Sequence, residues 1–512
     1  MKVSKNSKNS VYSISLIITF IIVILGVVFP DKFNDVANNI YGFLANNFGW
    51  SYLISMLVFV IFALILAFSK YGNIKLGADD SKPEFSTVSW FAMLFGAGMG
   101  IGLVFWGVAE PLSHFTSDIT GLTPGSPEAA AFAIRASFKH WGFHPWANYS
   151  IIGLALAYFQ FRKNKPGLIS SIFIPLLGEE RVKGPIGKTI DILAIFATVA
   201  GVATSLGLGT LQINSGLNYV FNIPETKMVQ LIIILTITFI FIWTAVSGIE
   251  KGIKAISDLN LWLAFGLILL TFLVGPSIKM INTFTTGLGD YIGAFFQDSL
   301  NISPFGDNTW TNAWTIFYWA WWIAWAPFVG TFIARISKGR TIREFVGGVI
   351  LAPALASLLW FAIFGALGIN LGITGKMTTS ALQSIAAKPE LTLFAVIENY
   401  PLGTIISVIT IVLLCTFFIT SANSATFVLG MFSSNGDLNP SNSKKILWGL
   451  VQALLAISLL FAGGLKALQT ASVAAAFPFI FVMLFACVSL VKALRQEDLT
   501  SIINSKNKTS IK

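Results

Sequence analysis

The sequence predicts an all-α polytopic membrane protein with twelve transmembrane helices. Of its 512 residues, 55% are hydrophobic and only 11% are charged, whereas a soluble domain carries roughly 25% charged residues. Apolar runs of about 20 residues, the length that crosses a hydrocarbon core of roughly 30 Å, recur along nearly the whole chain. We therefore expect a bundle of many spans and not a soluble domain with one anchor.

The first predicted span, near residues 12–29, follows three lysines and so resembles a secretory signal peptide. Its apolar stretch is too long for one, and no small-residue cleavage site follows it. We interpret it as a membrane span. The other eleven lie near residues 50–68, 88–110, 128–161, 188–215, 228–247, 255–276, 310–335, 345–370, 400–430, 444–463 and 471–493.

The positive charges follow the predicted topology. With the N-terminus inside, most Lys and Arg residues fall on the cytoplasmic side, as membrane proteins favour, and Arg162, Arg335 and Arg343 are among them. The polar tails, residues 1–11 and 494–512, are then both cytoplasmic, and the protein is a multi-pass component of the cell membrane surrounded by lipid. This asymmetry explains the net charge of +10, so we expect no nucleic-acid partner.

The strongest functional signal is a tryptophan-rich segment in predicted span 8, where six of the chain's 15 tryptophans lie between Trp310 and Trp325. On a helix, Tyr318, Trp322 and Trp325 share one stripe. Electron-rich ring faces bind a quaternary ammonium group, which has no hydrogen-bond donor, at about 2 kcal/mol per ring once water is excluded. The alternative is a belt of interfacial tryptophans; belts occupy span ends, whereas this run continues well into the span.

A second aromatic set lies in predicted span 4. Trp146 and Tyr149 are three residues apart and share a helix face, while Pro145 removes a backbone donor and is expected to bend or break the helix there. Two helices would then supply opposite walls of one aromatic box. His140 and His144 have the i, i+4 spacing of metal ligands, but no third ligand lies nearby in the sequence, so we assign them structural roles.

Alternate glycines interrupt predicted span 3 at Gly98, Gly100 and Gly102. Each lowers helix stability by roughly 1 kcal/mol relative to alanine, so the backbone can unwind there. Freed amides would bind a carboxylate and freed carbonyls a sodium ion, provided that they line a cavity. The alternative is close helix packing of the GxxxG kind. Glu110, near the predicted end of this span, receives no chemical role.

Predicted span 10 carries adjacent hydroxyls at Thr420 and Ser421. Hard oxygen donors of this kind suit a small monovalent cation if backbone carbonyls complete its shell. The alternative is that each hydroxyl bonds to a carbonyl of its own helix, which is the commoner role of such residues. The residues alone favour this second interpretation.

The breaks in the predicted helices indicate an internal symmetry. The glycines of span 3 have a distant counterpart in Pro327 and Gly330 of span 8, five spans later. Inverted repeats of five plus five spans with interrupted helices are a recurrent transporter design, in which the substrate is bound near the bilayer midplane.

Four segments resemble the betaine/choline/carnitine transporter family, and specifically its sodium-coupled glycine-betaine members. They are GMGIGLVFWGVAEP (98–111), HWGFHPWANY (140–149), FYWAWWIAWAPFVGTFIARISKGRTIREF (317–345) and FFITSANS (417–424). The resemblance implies a leucine-transporter-like fold of 5+5 inverted repeats with two extra N-terminal helices, assembled as a homotrimer. The implied divisions are a tail (1–11), two peripheral helices (12–87), the first repeat (88–276), an outer loop with an amphipathic helix (277–309), the second repeat (310–493) and a tail (494–512).

The same resemblance assigns roles to individual residues. The substrate would be held by an aromatic box and the glycine stretch, comprising Trp141, Trp146, Tyr149, Trp321, Trp322, Trp325, Gly98, Met99 and Gly100. One sodium site would use Gly96, Met99, Phe417, Thr420 and Ser421. This shifts the interpretation of the span 10 hydroxyls towards ion binding.

A second sodium site of the family corresponds here to Thr198, Ser205 and Phe328. Val202 stands at a family position that can carry a hydroxyl, so this site has one donor fewer unless the nearby Thr204 supplies it. The family's betaine carriers are also consistent with a glycine at position 102.

We therefore expect a secondary active transporter that imports glycine betaine, an osmoprotectant, with sodium as the coupling ion and no other cofactor. A choline or carnitine transporter or exchanger of the same family is the alternative. An enzyme would need ionisable groups that converge inside the membrane. Because Glu110, Lys139 and Glu398 all lie near predicted span ends, the sequence predicts no enzyme.

Overall fold

Helices make up almost all of the structure. The computed structural model describes residues 10–98, 100–118, 121–247 and 250–497. Within those ranges the only extended pairing is an isolated bridge between Lys75 and Thr341, and nine helices are long and apolar enough to cross a membrane. The chain is therefore an all-α protein of the polytopic membrane class, as predicted.

The first half of the chain contains two interrupted spans. Its helices are α1 (Ser10–Val28), α2 (Pro30–Phe68), α3 (Thr87–Gly98), α4 (Ile101–Thr116), α5 (Pro127–Trp141), α6 (Phe143–Ala157), α7 (Ile174–Leu177), α8 (Glu179–Lys183), α9 (Pro185–Phe221) and α10 (Lys227–Val246). Short 3-10 turns cover Lys70–Asn73 and Ile169–Phe173, and a π turn covers Tyr158–Arg162. Predicted span 3 is divided between α3 and α4, and predicted span 4 between α5 and α6.

The second half begins with a helix that follows the undescribed pair 248–249. Its helices are α11 (Glu250–Val274), α12 (Ser277–Gly293), α13 (Phe295–Ser299), α14 (Thr309–Thr311), α15 (Phe317–Ile336), α16 (Ile342–Ile373), α17 (Thr379–Ala386), α18 (Pro389–Ile397), α19 (Gly403–Phe432) and α20 (Asn442–Leu494). A π turn, Asn312–Ile316, joins α14 to α15. Within α20, Gly463 and Gly464 are non-helical, and Gly464 has a φ of +57°, so a kink separates predicted spans 11 and 12.

Local sequence explains where several helices begin and end. The Ser126 hydroxyl accepts a hydrogen bond from the Ala129 amide at the start of α5, and Pro127 occupies the first helical position, where it needs no backbone donor. Thr341 and Glu344 form a reciprocal capping box at the start of α16. Asn222, with a φ of +58°, ends α9 in the left-handed region that asparagine tolerates better than most residues.

Two helices extend beyond the predicted spans. Helix α2 begins at Pro30, far before the expected start near residue 50, because Asp31 and Asp35 lower the local hydropathy without breaking the helix. Helix α4 continues to Thr116 although Pro111 lies inside it. Proline is tolerated within membrane helices because neighbouring groups satisfy the carbonyl that it leaves without a donor.

Helix α15 lies at the centre of the bundle. It packs against α6, α9, α20 and α3, and most of its residues are buried, including six of its aromatic rings. Helices α1 and α2 instead carry many exposed isoleucine and valine side chains, as expected of helices that face lipid. A short helix dense in aromatic rings is thus well shielded from the membrane.

Candidate functional site

The break between α3 and α4 lies where the alternate glycines stand. Gly98 ends α3, and Gly100 is extended, with a φ of −137° and a ψ of −163°, before α4 begins. A Cβ atom at Gly96 or Gly100 would meet no other atom within 4 Å, so both backbones border open space. Met99, predicted for the substrate site and for a sodium site, lies outside the described residues.

Four rings form a continuous group that we call the aromatic cluster: Trp141, Trp146, Tyr149 and Trp322. The ring centroid of Trp322 lies 4.8 Å from that of Trp141 and 6.4 Å from that of Tyr149, which in turn lies 5.6 Å from Trp146. The interplanar angles of these contacts are 75°, 83° and 86°. All four side chains are buried, so neighbouring ring faces meet at nearly right angles away from lipid.

The break between α5 and α6 positions three of these rings. Pro145 cannot donate to the carbonyl four residues earlier, that of Trp141. The helix accordingly breaks at Gly142, whose φ is −86° and ψ is −125°. The prediction of a break at Pro145 itself was therefore wrong by three residues. Trp141 therefore ends one helix, while Trp146 and Tyr149 belong to the next.

Helix α15 supplies the fourth ring and extends the cluster. Trp321 stacks on Trp322 at 4.9 Å with an interplanar angle of 13°, and Tyr318 stacks on Trp322 at 5.9 Å. The Trp322 indole donates a hydrogen bond to the His140 carbonyl at 3.0 Å, while the Asn148 amide donates to the Trp322 carbonyl at 2.8 Å. These bonds tie α15 to α5 and α6 at the level of the cluster.

Gly102 of α4 closes one side of the cluster. A Cβ atom there would lie 2.7 Å from Cη2 of Trp321 and 3.0 Å from Cη2 of Trp141. Side chains do not approach that closely, so only glycine lets α4 come this near to both rings. The glycine stretch and the aromatic cluster therefore border the same region.

Trp325 is the predicted box residue that the structure places apart from the others. Its ring contact is with Phe328, at 5.4 Å, and no described ring contact joins it to the aromatic cluster. A Cβ atom at Gly201 would lie 2.6 Å from Cδ1 of Trp325, so the indole is directed at α9. The structure thus brings Trp141, Trp322 and their neighbours together but leaves the Trp325 indole outside the cluster, against α9.

A cavity of about 530 Å³ lies along α15 and opens to the outside of the protein. We call it the hydroxyl cavity. It is lined by Phe85, Ser89, Ala92, Met93, Gly96, Ser257, Asp258, Asn260, Leu261, Phe328, Val329, Phe332, Thr420, Ser421 and Ser424. Three residues of the first predicted sodium site, Gly96, Thr420 and Ser421, therefore face one space.

Thr420 has a polar partner that sequence reasoning missed. Its hydroxyl lies 3.1 Å from the Thr416 carbonyl and 3.2 Å from the Phe417 carbonyl, and it accepts a hydrogen bond from the Asn260 amide at 3.1 Å. Oδ1 of Asn260 is buried and has no hydrogen-bond partner among the described residues. A polar amide in the otherwise apolar span 7 was the available signal, because buried polar groups in membranes require a partner.

The second predicted sodium set is divided between two helices. Thr198 and Ser205 are buried on α9 and bond to carbonyls of their own helix at 2.8 Å and 3.4 Å, while Phe328 lines the hydroxyl cavity from α15. Val202 lies between the two hydroxyls and is buried.

Thr204 does not take the place of the hydroxyl absent at Val202. It lies 2.8 Å from the Leu468 carbonyl and 2.9 Å from the Ser472 hydroxyl, both on α20. Two residues along a helix correspond to a rotation of about 200°. The Thr204 side chain is therefore directed at α20 and not at the face that carries Thr198.

The two histidines of span 4 have different surroundings. His144 hydrogen-bonds the Ser299 hydroxyl at 2.8 Å and stacks on Trp319 at 4.9 Å, which is a packing role. His140 instead lies 2.6 Å from a carboxylate oxygen of Glu110. His140 therefore has an acidic partner 30 residues away along the chain, which sequence spacing did not indicate.

Glu110 belongs to a buried group of ionisable side chains, two of which, Glu110 and Lys139, the sequence analysis placed near span ends. Glu110, His114, His140 and Lys139 are at most 4% exposed, because α4 continues beyond Glu110 and the end of α5 is covered by neighbouring helices. The signal that could have identified them is the residue type itself, since ionisable side chains within apolar spans are costly and usually functional.

The sequence pattern of the betaine/carnitine/choline family of transporters matches residues 10–499. The chain belongs to this transporter family. A glycine betaine transporter of Bacillus subtilis (strain 168) is 49% identical over 491 residues, which cover 96% of this chain and 95% of the relative. A probable glycine betaine transporter of Desulfitobacterium hafniense (strain Y51) is 49% identical over 494 residues, covering 96% and 98%. An ectoine/hydroxyectoine transporter of Virgibacillus pantothenticus is 44% identical over 491 residues, covering 96% and 97%.

Family membership determines the class of activity. The protein is a multi-pass membrane transporter and not an enzyme, as predicted. A transporter binds and releases its solute, so no covalent step is required of the protein.

Proposed function

We propose that this transporter imports glycine betaine together with sodium by alternating access. The observation that supports this most directly is that one rigid helix, α15, contributes Trp322 to the buried aromatic cluster and Phe328 to the open hydroxyl cavity. An organic cation and a small metal cation would then be bound along the same element. The two glycine betaine transporters that are 49% identical over nearly the whole chain favour the same substrate.

The aromatic cluster suits a trimethylammonium group. Ring faces meeting at right angles surround a rounded cation that has no donor, and they attract it through their quadrupoles. We assign the box to Trp141, Trp146, Tyr149 and Trp322 with Trp321 behind them, and Trp325 would join it after a rotation of its indole. We assign the carboxylate of betaine to the stretch Gly98, Met99 and Gly100, because amides freed at an interruption of a membrane helix can bind a carboxylate.

Sodium would be bound in the hydroxyl cavity, between residues of α3 and α19 that line it. The carbonyls of Gly96, Met99 and Phe417 and the hydroxyls of Thr420 and Ser421 are the hard oxygen ligands that such an ion prefers. Asn260 would release Thr420 on binding, because the amide donor and the ion compete for the same hydroxyl oxygen. Since Val202 offers no oxygen, the second site at Thr198, Ser205 and Phe328 would be the weaker of the two.

We propose twelve membrane crossings, a number that the described helices allow if each interrupted pair counts once. The nine long helices include α20, whose kink divides it into two crossings, and the pairs α3/α4 and α5/α6 add two more. We arrange them as two peripheral helices followed by inverted repeats of five, with both termini in the cytoplasm of a plasma-membrane homotrimer. The hydroxyl cavity would open inwards, because its lining residue Phe332 adjoins the basic segment that contains Arg335 and Arg340.

Uptake of radiolabelled solutes into proteoliposomes tests the proposal. Glycine betaine, choline, carnitine, proline and ectoine would each be offered with and without an inward sodium gradient. We expect saturable betaine uptake that depends on the gradient. Gradient-independent exchange of carnitine or choline would instead identify an exchanger of the family.

Ectoine is the second candidate substrate, because an ectoine/hydroxyectoine transporter is 44% identical to this chain. Preferential uptake of ectoine would reject betaine as the principal substrate.

A further inference from the structure

Glu110 is a carboxylate at the centre of the bundle that the proposed transport cycle does not use. Its side chain is fully buried, with 0% exposed, on a helix that continues to Thr116. A charged side chain within a membrane is costly unless it has partners. One partner of this carboxylate, Trp141, is a member of the proposed substrate site, and another, Tyr318, stacks against Trp322 of that site.

Three donors converge on the Glu110 carboxylate. Nδ1 of His140 lies 2.6 Å from Oε1, while the Trp141 indole and the Tyr318 hydroxyl donate to Oε2 at 2.8 Å and 2.6 Å. Nε2 of His114 lies farther away, 3.5 Å from Oε1. Trp141 is part of the aromatic cluster, and Tyr318 stacks against Trp322 of that cluster. Two walls of the site are therefore attached to one carboxylate.

The surrounding bonds favour one arrangement of the hydrogens. Lys139 can only donate, and it donates to the Thr315 hydroxyl at 2.9 Å, so the hydrogen of that hydroxyl is available to Nε2 of His140, also at 2.9 Å. With Nε2 as an acceptor, neutral His140 carries its hydrogen on Nδ1, pointing at Glu110. Because its three close partners all donate, Glu110 acts purely as an acceptor, which is the property of an ionised carboxylate.

A metal ion is the competing explanation for this group. Ligand atoms of Glu110, His114 and His140 lie within 4.8 Å of one another, and two histidines with one glutamate can bind zinc. The Trp310 indole, however, donates to Nδ1 of His114 at 3.3 Å, which places the hydrogen of a neutral His114 on Nε2. Both imidazoles then direct hydrogens, and not lone pairs, towards Glu110, which favours the carboxylate without a metal.

We propose that Glu110 is a positioning residue that gives the aromatic cluster its preference for a cation. This inference rests on the proposed function. An anion that accepts the indole hydrogen of Trp141 adds electron density to that ring, because hydrogen-bonded groups polarise one another. A ring face enriched in this way attracts an onium group more strongly. The indole of Trp322 donates to the His140 carbonyl at 3.0 Å, so the same network holds Trp322 directly as well as through Tyr318.

The test compares glycine betaine with 3,3-dimethylbutanoate, in which carbon replaces the quaternary nitrogen and the shape is kept. Binding to the purified full-length protein would be measured by tryptophan fluorescence for wild type and Glu110→Gln. We expect the substitution to weaken betaine binding about tenfold and dimethylbutanoate binding less than about twofold, as the loss of an electrostatic term predicts. If Glu110→Gln lowered the affinity for both ligands by the same factor, the role of Glu110 would be structural only and the proposal would be overturned.

Controls separate this inference from its alternatives. Glu398→Gln removes a carboxylate just after α18 and is expected to change neither affinity. Wild-type protein that binds no betaine would refute the proposed function itself, whereas an unchanged ligand ratio in Glu110→Gln refutes only the role of Glu110. A stoichiometric transition metal in purified wild type that is lost in Glu110→Gln would also overturn the proposal in favour of a metal site.

A second pair of variants tests the role of Glu110 if Glu110→Gln does not fold. Trp141→Phe and Trp322→Phe each remove an indole donor from the aromatic cluster, but the first donates to a carboxylate and the second to the neutral carbonyl of His140. We expect Trp141→Phe to lower the ratio of betaine to dimethylbutanoate affinity by about fivefold more than Trp322→Phe does. Equal ratios in the two variants would contradict the proposal.

Discussion

The aromatic cluster and the hydroxyl cavity share α15 but are built in opposite ways. In the aromatic cluster the rings are buried and hydrogen bonds fix two of the indoles, those of Trp141 and Trp322. In the hydroxyl cavity, by contrast, Thr420 and Ser421 border about 530 Å³ of open space, and an oxygen of Asn260 has no partner among the described residues. Rings held in fixed positions select a ligand by shape and charge distribution, whereas an open polar space lets an ion exchange its water for protein oxygens.

The largest expected effect is in the aromatic cluster. Trp322→Leu removes the ring that contacts both Trp141 and Tyr149, and we expect the Michaelis constant for betaine to rise at least about tenfold, since a desolvated ring contributes about 2 kcal/mol. Uptake into proteoliposomes measures this change. Trp322→Phe, which keeps a ring face, should raise the Michaelis constant for betaine less than Trp322→Leu does. Unchanged transport by the leucine variant would remove Trp322 from the substrate site.

The corresponding change in the hydroxyl cavity concerns sodium. Thr420→Ala combined with Ser421→Ala removes two hard ligands, and we expect half-maximal activation to require about tenfold more sodium, the equivalent of about 1.4 kcal/mol. Thr416→Ala is the matched control, because its hydroxyl bonds to carbonyls of its own helix and does not line the cavity. Equal sodium dependence of the double variant and wild type would show that the hydroxyls are structural.

A smaller effect is expected where α4 approaches the rings. Gly102→Ala places a methyl group 2.7 Å from Trp321, and overpacking of this kind costs about 1–3 kcal/mol. The displaced rings should raise the Michaelis constant for betaine about fivefold while leaving sodium activation unchanged. Gly347→Ala, where a methyl group meets no atom within 4 Å, is the control. A shift in sodium activation with unchanged betaine affinity would contradict the assignment of Gly102 to the aromatic side.

The smallest effect is expected at the second predicted sodium site. Val202→Thr keeps the size of the side chain and adds the hydroxyl that the family can carry there. If Thr198 and Ser205 bind an ion, the additional donor should lower the sodium concentration for half-maximal uptake by about twofold, a few tenths of a kcal/mol. Titration of betaine uptake against sodium measures this. Weaker activation would indicate that the new hydroxyl is buried without a partner, which costs about 1–3 kcal/mol.

The sequence was most informative where composition and spacing determine structure. The class of fold followed from apolar run lengths, and helix breaks were expected from glycines and a proline. The break in span 4 nevertheless lies at Gly142, because a proline disrupts the helix at the carbonyl four residues earlier. The sequence analysis missed that α2 begins at Pro30, since hydropathy reports burial in lipid and not helix length.

The polar contacts between helices could not be derived from the sequence. Glu110 was placed at the end of predicted span 3, yet the helix continues to Thr116 and puts the carboxylate among His140, Trp141 and Tyr318. Asn260 was missed for a related reason. Its partner Thr420 lies on a different helix, far along the chain, and no local pattern reports such a contact.

The position of α15 also has a thermodynamic consequence. Trp322 and Phe328 are separated by about 9 Å along the helix axis at 1.5 Å per residue, so a tilt of this helix moves both at once. If sodium raises the affinity for the organic solute by some factor, the solute must raise the affinity for sodium by the same factor. If α15 moves as a unit, the binding of the solute and the binding of sodium are coupled. Uptake of either species without the other would then measure how weak that coupling is.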